Sequence, residues 1–280
     1  MATSLEIFHR YRQAHPPAEG FSLRDLQEIV SFVLGMSSED LFLNHKVEFS
    51  FEKKKILEAL LERKSQGEPL AYILGSVSFY GCKIFVDRSV LIPRMETEIL
   101  LEKTLARVAR QPIHCVYDLC SGSGCLGIAF KKQHPKCRVY LADISQEALS
   151  VASRNALANH VEVQFLLGDF LEAFENKPKA DLLFCNPPYV AEEEWETLER
   201  SVKDFEPRLA LTAEDHGLEF FKKLSCEASK YLNTGALLAL EIGAMQKQAV
   251  ALLFSESPWK NVVCQQDYAG LDRFIFLEKE

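Results

Sequence analysis

Asn186-Pro187-Pro188-Tyr189 is the segment whose residue types could act on a nitrogen of another molecule. It follows the apolar run Leu182-Leu183-Phe184-Cys185, so a buried strand would end in one amide side chain, a backbone carbonyl that no proline ring hides, and an aromatic face. Together these can hold a flat group bearing NH2. Both prolines fix their own φ and keep the residue before each out of the helical region, which holds Asn186 extended and the turn stiff before any ligand arrives. The same dipeptide also serves as a plain structural turn after a strand, and the tetrapeptide alone leaves both readings open.

A second constellation can hold a nucleotide-like ligand. Asp118-Leu119-Cys120-Ser121-Gly122-Ser123-Gly124-Cys125-Leu126-Gly127 follows an apolar strand and opens a helix, where a doubly wound sheet binds such ligands and glycines let the backbone come close. Gly122-x-Gly124-x-x-Gly127 also fits the dinucleotide fingerprint, with a pyrophosphate on the helix N-terminus. Asp143 ends the next strand, where a carboxylate can accept both hydroxyls of a ribose in an NAD or an adenosyl ligand. An acid before Ile144 and Ser145 can equally be a helix N-terminal residue. Asp118 tilts the choice. It precedes the turn, and an acid there suits a cationic amino-acid moiety better than a pyrophosphate, which favours S-adenosylmethionine. Gly168-Asp169-Phe170 closes the third strand, with Asp169 placed to accept an exocyclic adenine NH2 and Phe170 to cover the ring, or else as an ordinary turn.

Elements must bring these residues together. From about residue 113, apolar β-rich runs alternate with helical patterns: Cys115–Leu119, Leu126–Lys132, Arg138–Ala142, Gln146–Ala158, Val161–Leu167, Leu182–Cys185, Leu218–Tyr231, Ala236–Glu241, Gln246–Phe254, Asn261–Gln265 and Arg273–Leu277. This βαβα alternation predicts an α/β fold, a mostly parallel sheet with helices on both faces and an antiparallel edge strand near the end. Residues 1–75 read instead as short helices: Leu5–Gln13, Leu23–Leu34 after Ser22, a turn at Glu39–Leu43, and Phe51–Gln66. The last has Ser50 as N-cap, Ile56, Leu57, Leu60 and Leu61 on one face, and Gly67 past its end. Val77 to Val86, β-branched and aromatic around Gly81, predicts a hairpin. The expected organisation is a helical domain over 1–75, a hairpin linker acting as a hinge over 76–95, and the α/β domain over 96–280.

The 280 residues are 48% apolar and 26% charged, ordinary for a globular protein. The net charge of −8 is spread along the chain without a basic stripe. That argues against an autonomous nucleic-acid binder, whose affinity comes largely from phosphate neutralisation. The eight cysteines form no C-x-x-C pair and are expected as buried free thiols in a reducing compartment. The seven histidines show no pairing one helical turn apart, so no metal is expected. With no signal-like N-terminus and no apolar run of about 18 residues, the chain is expected in the cytoplasm.

In this order, the elements resemble a class I S-adenosylmethionine-dependent methyltransferase with a Rossmann-like fold, and Asn186-Pro187-Pro188-Tyr189 is similar to the tetrapeptide of the amino-methyltransferases. Gly67-Glu68-Pro69-Leu70-Ala71-Tyr72-Ile73-Leu74-Gly75, Leu91-Ile92-Pro93-Arg94-Met95-Glu96-Thr97-Glu98, Phe205-Glu206-Pro207-Arg208-Leu209-Ala210-Leu211 and Glu241-Ile242-Gly243-Ala244-Met245-Gln246 closely resemble the PrmC/HemK family, the peptide chain release factor glutamine N5-methyltransferases. The terminal Asp267-Tyr268-Ala269-Gly270-Leu271-Asp272-Arg273 does so too, and the resemblance spans nearly the whole chain. It implies methylation of the glutamine side chain in the Gly-Gly-Gln motif of class I release factors, with the helical domain recognising the substrate. The partner implied is that release factor, with no membrane, no direct nucleic-acid binding and a monomeric state. Motif match carries over Cys120, Ser121, Gly122, Ser123 and Gly124, with Asp143, Phe170 and Asn186, as cofactor residues. Two positions depart from the family pattern. Met95 stands where proline is usual, which bears on the stiffness of its loop, and Phe170 where tryptophan is common, which bears on adenine stacking.

A glutamine amide nitrogen is a poor nucleophile because its lone pair is delocalised into the carbonyl. The expected solution is that the Asn186 side-chain oxygen and the Pro187 backbone carbonyl accept its two N–H bonds while Tyr189 packs on the amide plane, so that the lone pair faces the sulfonium methyl. Positioning then supplies most of the acceleration, without a dedicated base. Asn186, Pro187 and Tyr189 are the expected catalytic residues, and Asn186 to Tyr189, including Pro188, the substrate-binding ones. Glu206 and Arg208 are expected as an ion pair behind this loop or in contact with substrate. Arg94, Glu96 and Glu98 would order the interdomain loop or start a helix running to about Arg107, and Glu192–Glu194 and Lys53–Lys55 read as solvated faces. Other classes stay open: a DNA adenine or RNA guanine amino-methyltransferase, since an exocyclic NH2 poses the same conjugation problem, and a nicotinamide-dependent oxidoreductase or non-catalytic nucleotide-binding module.

Overall fold

The structure, a computed structural model, describes residues 2–17, 20–43 and 45–280. By its contacts the chain divides into Met1–Gly75 with Glu199–Phe205, and Ser76–Leu198 with Glu206–Glu280.

In the smaller unit α1 (Ser4–Ala14), α2 (Leu23–Leu34), α3 (Phe51–Ser65) and α4 (Leu70–Leu74) share one core that includes Ile7, Leu26, Ile29, Leu57 and Leu61. Their starts are local. Thr3 and Ser22 accept from the backbone N–H groups of Glu6 and Asp25, whose carboxylates accept in return from the cap backbones. Each exchange satisfies two donors that a helix end leaves orphaned. Ser50 caps α3. Ile56, expected on the buried face of α3, is half exposed, and the buried stripe is Leu57, Leu60 and Leu61. Ile56 lies a full 100° before Leu57 around the helix, outside a stripe centred on the three leucines. A two-residue antiparallel pair, β1 (Ala2–Thr3) with β2 (Lys46–Val47), completes this unit's described strands.

The larger unit begins with the hairpin β3 (Ser76–Phe79) and β4 (Cys82–Phe85), turned through Tyr80 and Gly81, both at positive φ, as a twist-matched two-residue hairpin loop requires. There follow α5 (Met95–Val108), β5 (Cys115–Leu119), α6 (Cys125–Gln133), β6 (Arg138–Asp143), α7 (Gln146–Ala158), β7 (Gln164–Leu167) and β8 (Ala180–Cys185). After β8 come a short parallel pair, β9 (Val190–Ala191) with β10 (Thr212–Ala213), and the single turn α9 (Glu214–Gly217), while the turn α8 (Arg200–Lys203), between β9 and β10 in the chain, belongs to the smaller unit. The chain ends with α10 (Glu219–Glu227), β11 (Leu232–Glu241), α11 (Lys247–Leu253), β12 (Trp259–Gln266) and β13 (Asp272–Lys279). The hairpin is fastened to this unit. Asn155 exchanges hydrogen bonds with the backbone of Phe85, and Asn159 with that of Lys83.

Seven strands form the sheet in the order β12-β13-β11-β8-β5-β6-β7. The antiparallel strand is not at the edge, as the sequence suggested: it is β13, between β12 and β11. Phe274-Ile275-Phe276-Leu277 is apolar on both faces and needs covering by neighbours, whereas β12, with Lys260, Asn261, Gln265 and Gln266, tolerates an edge. From β5 the chain winds one way to β6 and β7, then returns to place β8 on the other side of β5. At that switch point the crossovers diverge and leave a crevice at the carboxyl ends of the strands. Leu119 pairs with Cys185, Cys185 with Leu240, and Asp143 with Leu167. Cys120, Asp143, Gly168, Asn186 and Glu241 therefore end up along one edge.

Candidate active site

A cleft of roughly 330 Å³ opens at this edge, within the size range of small-molecule sites. The turn after β5 forms its floor. Asp118 is buried, and its Oδ2 accepts from the Gly127 N–H at 2.8 Å in the first turn of α6. Burial pushes this carboxyl up to about 8; the Gly127 N–H opposes the rise and the nearby Asp143 adds to it. Gly127 and Gly124 allow close packing of α6 against β6. A Cβ on Gly127 would stand 2.3 Å from Leu141 Cδ2, and one on Gly124 2.9 Å from Leu141 Cδ1. Gly122, at φ 51°, donates its N–H to Asp143 Oδ2 at 2.8 Å, while Ser145 N–H donates to Oδ1 at 2.9 Å. Both oxygens of Asp143 are thus held in a fixed plane, each with a lone pair to spare. Its carboxyl lies above the ordinary value, chiefly through burial, with the N–H groups of Ser145, Gly122 and Ile144 pulling the other way.

Asp118, Cys120, Ser121, Gly122, Ser123, Asp143, Asp169, Phe170, Asn186 and Pro188 line the cleft together. Gly124, Pro187 and Tyr189 do not. Gly124 acts through packing, and Pro187 is buried. The Tyr189 hydroxyl points away toward Glu241 Oε1, at 3.3 Å. Residues without an assigned role in the sequence also line it: Thr97, Leu209 and Phe220, the last with its ring 5.3 Å from that of Phe170. Thr97 and Leu209 lie in segments that carry the family resemblance, but nothing in the sequence marks Phe220, since α10 reads as an ordinary amphipathic helix. Among the described residues the lining contains four acids, Asp118, Asp143, Glu147 and Asp169, and no lysine or arginine. A cationic amino acid, a ribose diol and a flat base fit this donor set, whereas a pyrophosphate finds no cation. No group of three or more His, Cys, Asp or Glu among the described residues could hold a metal ion.

Behind the Asn186 turn lies a buried polar chain. Asn186 Nδ2 donates to Thr97 Oγ1 at 3.4 Å, and Thr97 Oγ1 donates to Glu241 Oε2 at 2.7 Å. The exit of the turn is braced by Gln246, whose Nε2 donates to the carbonyls of Tyr189 (3.0 Å) and Gly217 (3.3 Å). A Cβ on Gly217 would stand 2.2 Å from the Tyr189 carbonyl oxygen, so glycine is required there.

The expected Glu206–Arg208 pair does not form. Glu206 is buried and takes Arg94 Nη2 at 2.5 Å and the Ile92 N–H at 3.0 Å, while Arg208 pairs with Glu192 and lies over the Trp195 ring. Two residues apart, the side chains of Glu206 and Arg208 leave the chain in different directions, and Pro207 holds the backbone between them. Arg94 is the N-cap position of α5, with Glu96 and Glu98 in its first turn, where acids complement the helix dipole. Met95 occupies the first helical position, where a proline is also tolerated, and is exposed, so its side chain adds no packing there. All eight cysteines are free thiols. Five are buried as expected, but Cys226 is exposed and Cys120 and Cys264 are partly so.

Residues 95–210 match the methyltransferase small domain, and residues 9–75 the PrmC N-terminal domain. The chain is similar to the release factor glutamine methyltransferase of Thermodesulfovibrio yellowstonii, 37% identical over 92% of this chain and 93% of the relative. That of Chlamydia trachomatis serovar D is 38% identical over 93% of this chain and 88% of the relative, and that of Bacillus cereus 35% identical over 90% and 91%. Among solved structures, a methyltransferase from Pyrococcus furiosus aligns with TM-score 0.54 at 17% identity, covering 82% of this chain and 98% of its own. The hMettl16 catalytic domain, in complex with an RNA hairpin, aligns with TM-score 0.57 at 14% identity, covering 84% of each. These two likenesses concern the fold.

Proposed function

Because the chain belongs to the release factor glutamine methyltransferases, we propose that it methylates the side-chain N5 of the glutamine in the Gly-Gly-Gln motif of class I peptide chain release factors. It is a methyltransferase that uses S-adenosylmethionine, and when bound this cofactor supplies a methyl group made electrophilic by a positively charged sulfur. Asp118 would face the cofactor's cationic amino-acid end, Asp143 its ribose, and Asp169, Phe170 and Phe220 its base, with Cys120 to Ser123 as the backbone cradle and Gly124 shaping it.

The observation that carries the reading is Asn186, which lines this cleft with its NH2 turned back to Thr97. Its Oδ1 is then the free acceptor for one N–H of a substrate amide, and the Pro187 carbonyl takes the other. The amide lone pair is left facing the methyl group, with the turn held rigid by Pro187 and Pro188. The proton shed by the alkylated nitrogen passes to water. Tyr189 serves this turn through its bond to Glu241. The helical residues 1–75 would recognise the release factor, with 76–95 joining them to the catalytic domain at 96–280. The enzyme would act as a monomer in the cytoplasm, where free thiols persist. No helix among the described residues is long and apolar enough to cross a membrane.

The test is transfer of a radiolabelled methyl group from S-adenosylmethionine to a purified class I release factor and to its variant with alanine at the Gly-Gly-Gln glutamine. Label on the first and none on the second is the expected result. Label on neither, with cofactor binding intact, would refute the substrate and direct the assay to DNA and RNA oligonucleotides.

A further inference from the structure

Glu241 is 1% exposed and Thr97 3%. Burying a carboxyl is costly unless it is well partnered, and this one lies at the end of β11, behind the turn on which transfer depends. A carboxylate only accepts hydrogen bonds, and a threonine hydroxyl has one proton to give. With Thr97 Oγ1 2.7 Å from Glu241 Oε2, that proton is committed to Glu241, and the Thr97 oxygen is left as an acceptor. The Asn186 amide, 3.4 Å away, can then meet it only with its NH2. The opposite arm of the amide, Oδ1, is consequently the one available on the cleft side.

We propose that Glu241 and Thr97 determine which way round the Asn186 amide lies, and so act as positioning residues for methyl transfer. The two orientations of an amide have nearly the same shape, so packing alone discriminates poorly between them. Reversed, Asn186 would turn NH2 toward a substrate NH2, donor against donor. The polarity of the chain from Glu241 removes that orientation. The inference rests on the substrate-amide reading above.

The chain also makes the orientation depend on pH. The groups that face Glu241 are Thr97 and Glu96 on α5, Cys125 at the start of α6, Tyr189 after β8, and Arg273 on β13. Burial pushes the Glu241 carboxyl up to about 7, with Glu96 adding to the rise, against the Thr97 hydroxyl, Arg273 and the Tyr189 hydroxyl. Once protonated, the acid can itself donate to Thr97, the hydroxyl can turn round, and the constraint on Asn186 lapses. Transfer should therefore rise with pH through about 7.

The experiment compares wild type with Thr97→Val, Thr97→Ser and Glu241→Gln. It measures single-turnover transfer to a release factor, cofactor affinity by calorimetry, and the 1H–15N signals of the Asn186 side-chain NH2, assigned by their loss in Asn186→Asp. Thr97→Val should slow transfer by about 10- to 100-fold with cofactor affinity within about twofold, and Thr97→Ser, which keeps the hydroxyl, should recover most of the lost rate. The Asn186 NH2 signals should titrate near pH 7 in wild type and not in Glu241→Gln. A wild-type rate in Thr97→Val, no recovery in Thr97→Ser, a matching loss of cofactor affinity, or Asn186 signals that ignore pH in wild type would each overturn the proposal. Absence of transfer by wild type would instead overturn the substrate reading, while the NH2 titration still decides this one.

Discussion

Asp118 and Asp143 are both raised acids under one turn, and their different neighbours predict different behaviour. The protonated form of Asp118 is the one the fold favours. Its contribution to stability is complete below the ordinary value of 3.8 and is lost as pH rises through about 8. A cation bound beside it reverses that preference, so cofactor binding at neutral pH should release up to about one proton. Calorimetry in buffers of different ionisation heat would register it, and the release should vanish in Asp118→Asn; buffer-independent heats in wild type would contradict the placement. For Asp143→Ala, the loss of hydrogen bonds to a charged group, about 1.5–3 kcal/mol each, should weaken cofactor binding by at least about tenfold. An unchanged dissociation constant would rule out the ribose role. Asn186→Ala should abolish transfer while leaving that constant nearly unaltered, and an equal loss of both in a titration would assign Asn186 to the cofactor instead.

At the scale of elements, the hairpin and α7 behave as one piece. Asn155, fully buried, acts as a strand partner for Phe85 and also donates to the Ser123 carbonyl in the glycine turn at 2.9 Å. Removing it strands backbone groups of the hairpin and of the glycine turn, so Asn155→Ala should cost about 3 kcal/mol, lower the unfolding midpoint by about 6–12 °C and loosen the cofactor turn. A midpoint within about 2 °C of wild type would mean that water or a neighbour replaces the amide without loss. The hairpin itself was legible from its alternation and from Gly81, yet its attachment was not. An asparagine inside an amphipathic helix carries no sign of the strand it will meet some 70 positions away.

For the whole molecule, the two units hold separate cores, one around Leu26 and Leu57 and one around Tyr117, Leu183 and Phe221. The cofactor residues all belong to the second. Heating should therefore give two transitions by calorimetry. Cofactor at about 100 times its dissociation constant adds about 2.7 kcal/mol, which should raise only the transition of the larger unit, by about 5–10 °C. Both transitions moving together would show one cooperative block.

Local chemistry determined much of this protein before any fold was drawn. Cap residues and the alternation of apolar runs marked the helices and parallel strands, because both depend on neighbours within a few positions. The Asn186 turn and the glycine turn were legible for the same reason: each follows a strand and breaks its pattern with residues that only a turn accommodates, while Asp143 was legible as the acid that ends an apolar strand. Tertiary structure alone decided the rest. The place of β13 inside the sheet, the exchange of partners between Glu206 and Arg208, the turning of Tyr189 toward Glu241, and the line from Glu241 through Thr97 to Asn186 join residues distant in sequence. Their pairing depends on strand order and register, which bring side chains together across the sheet and leave no periodic trace in the chain.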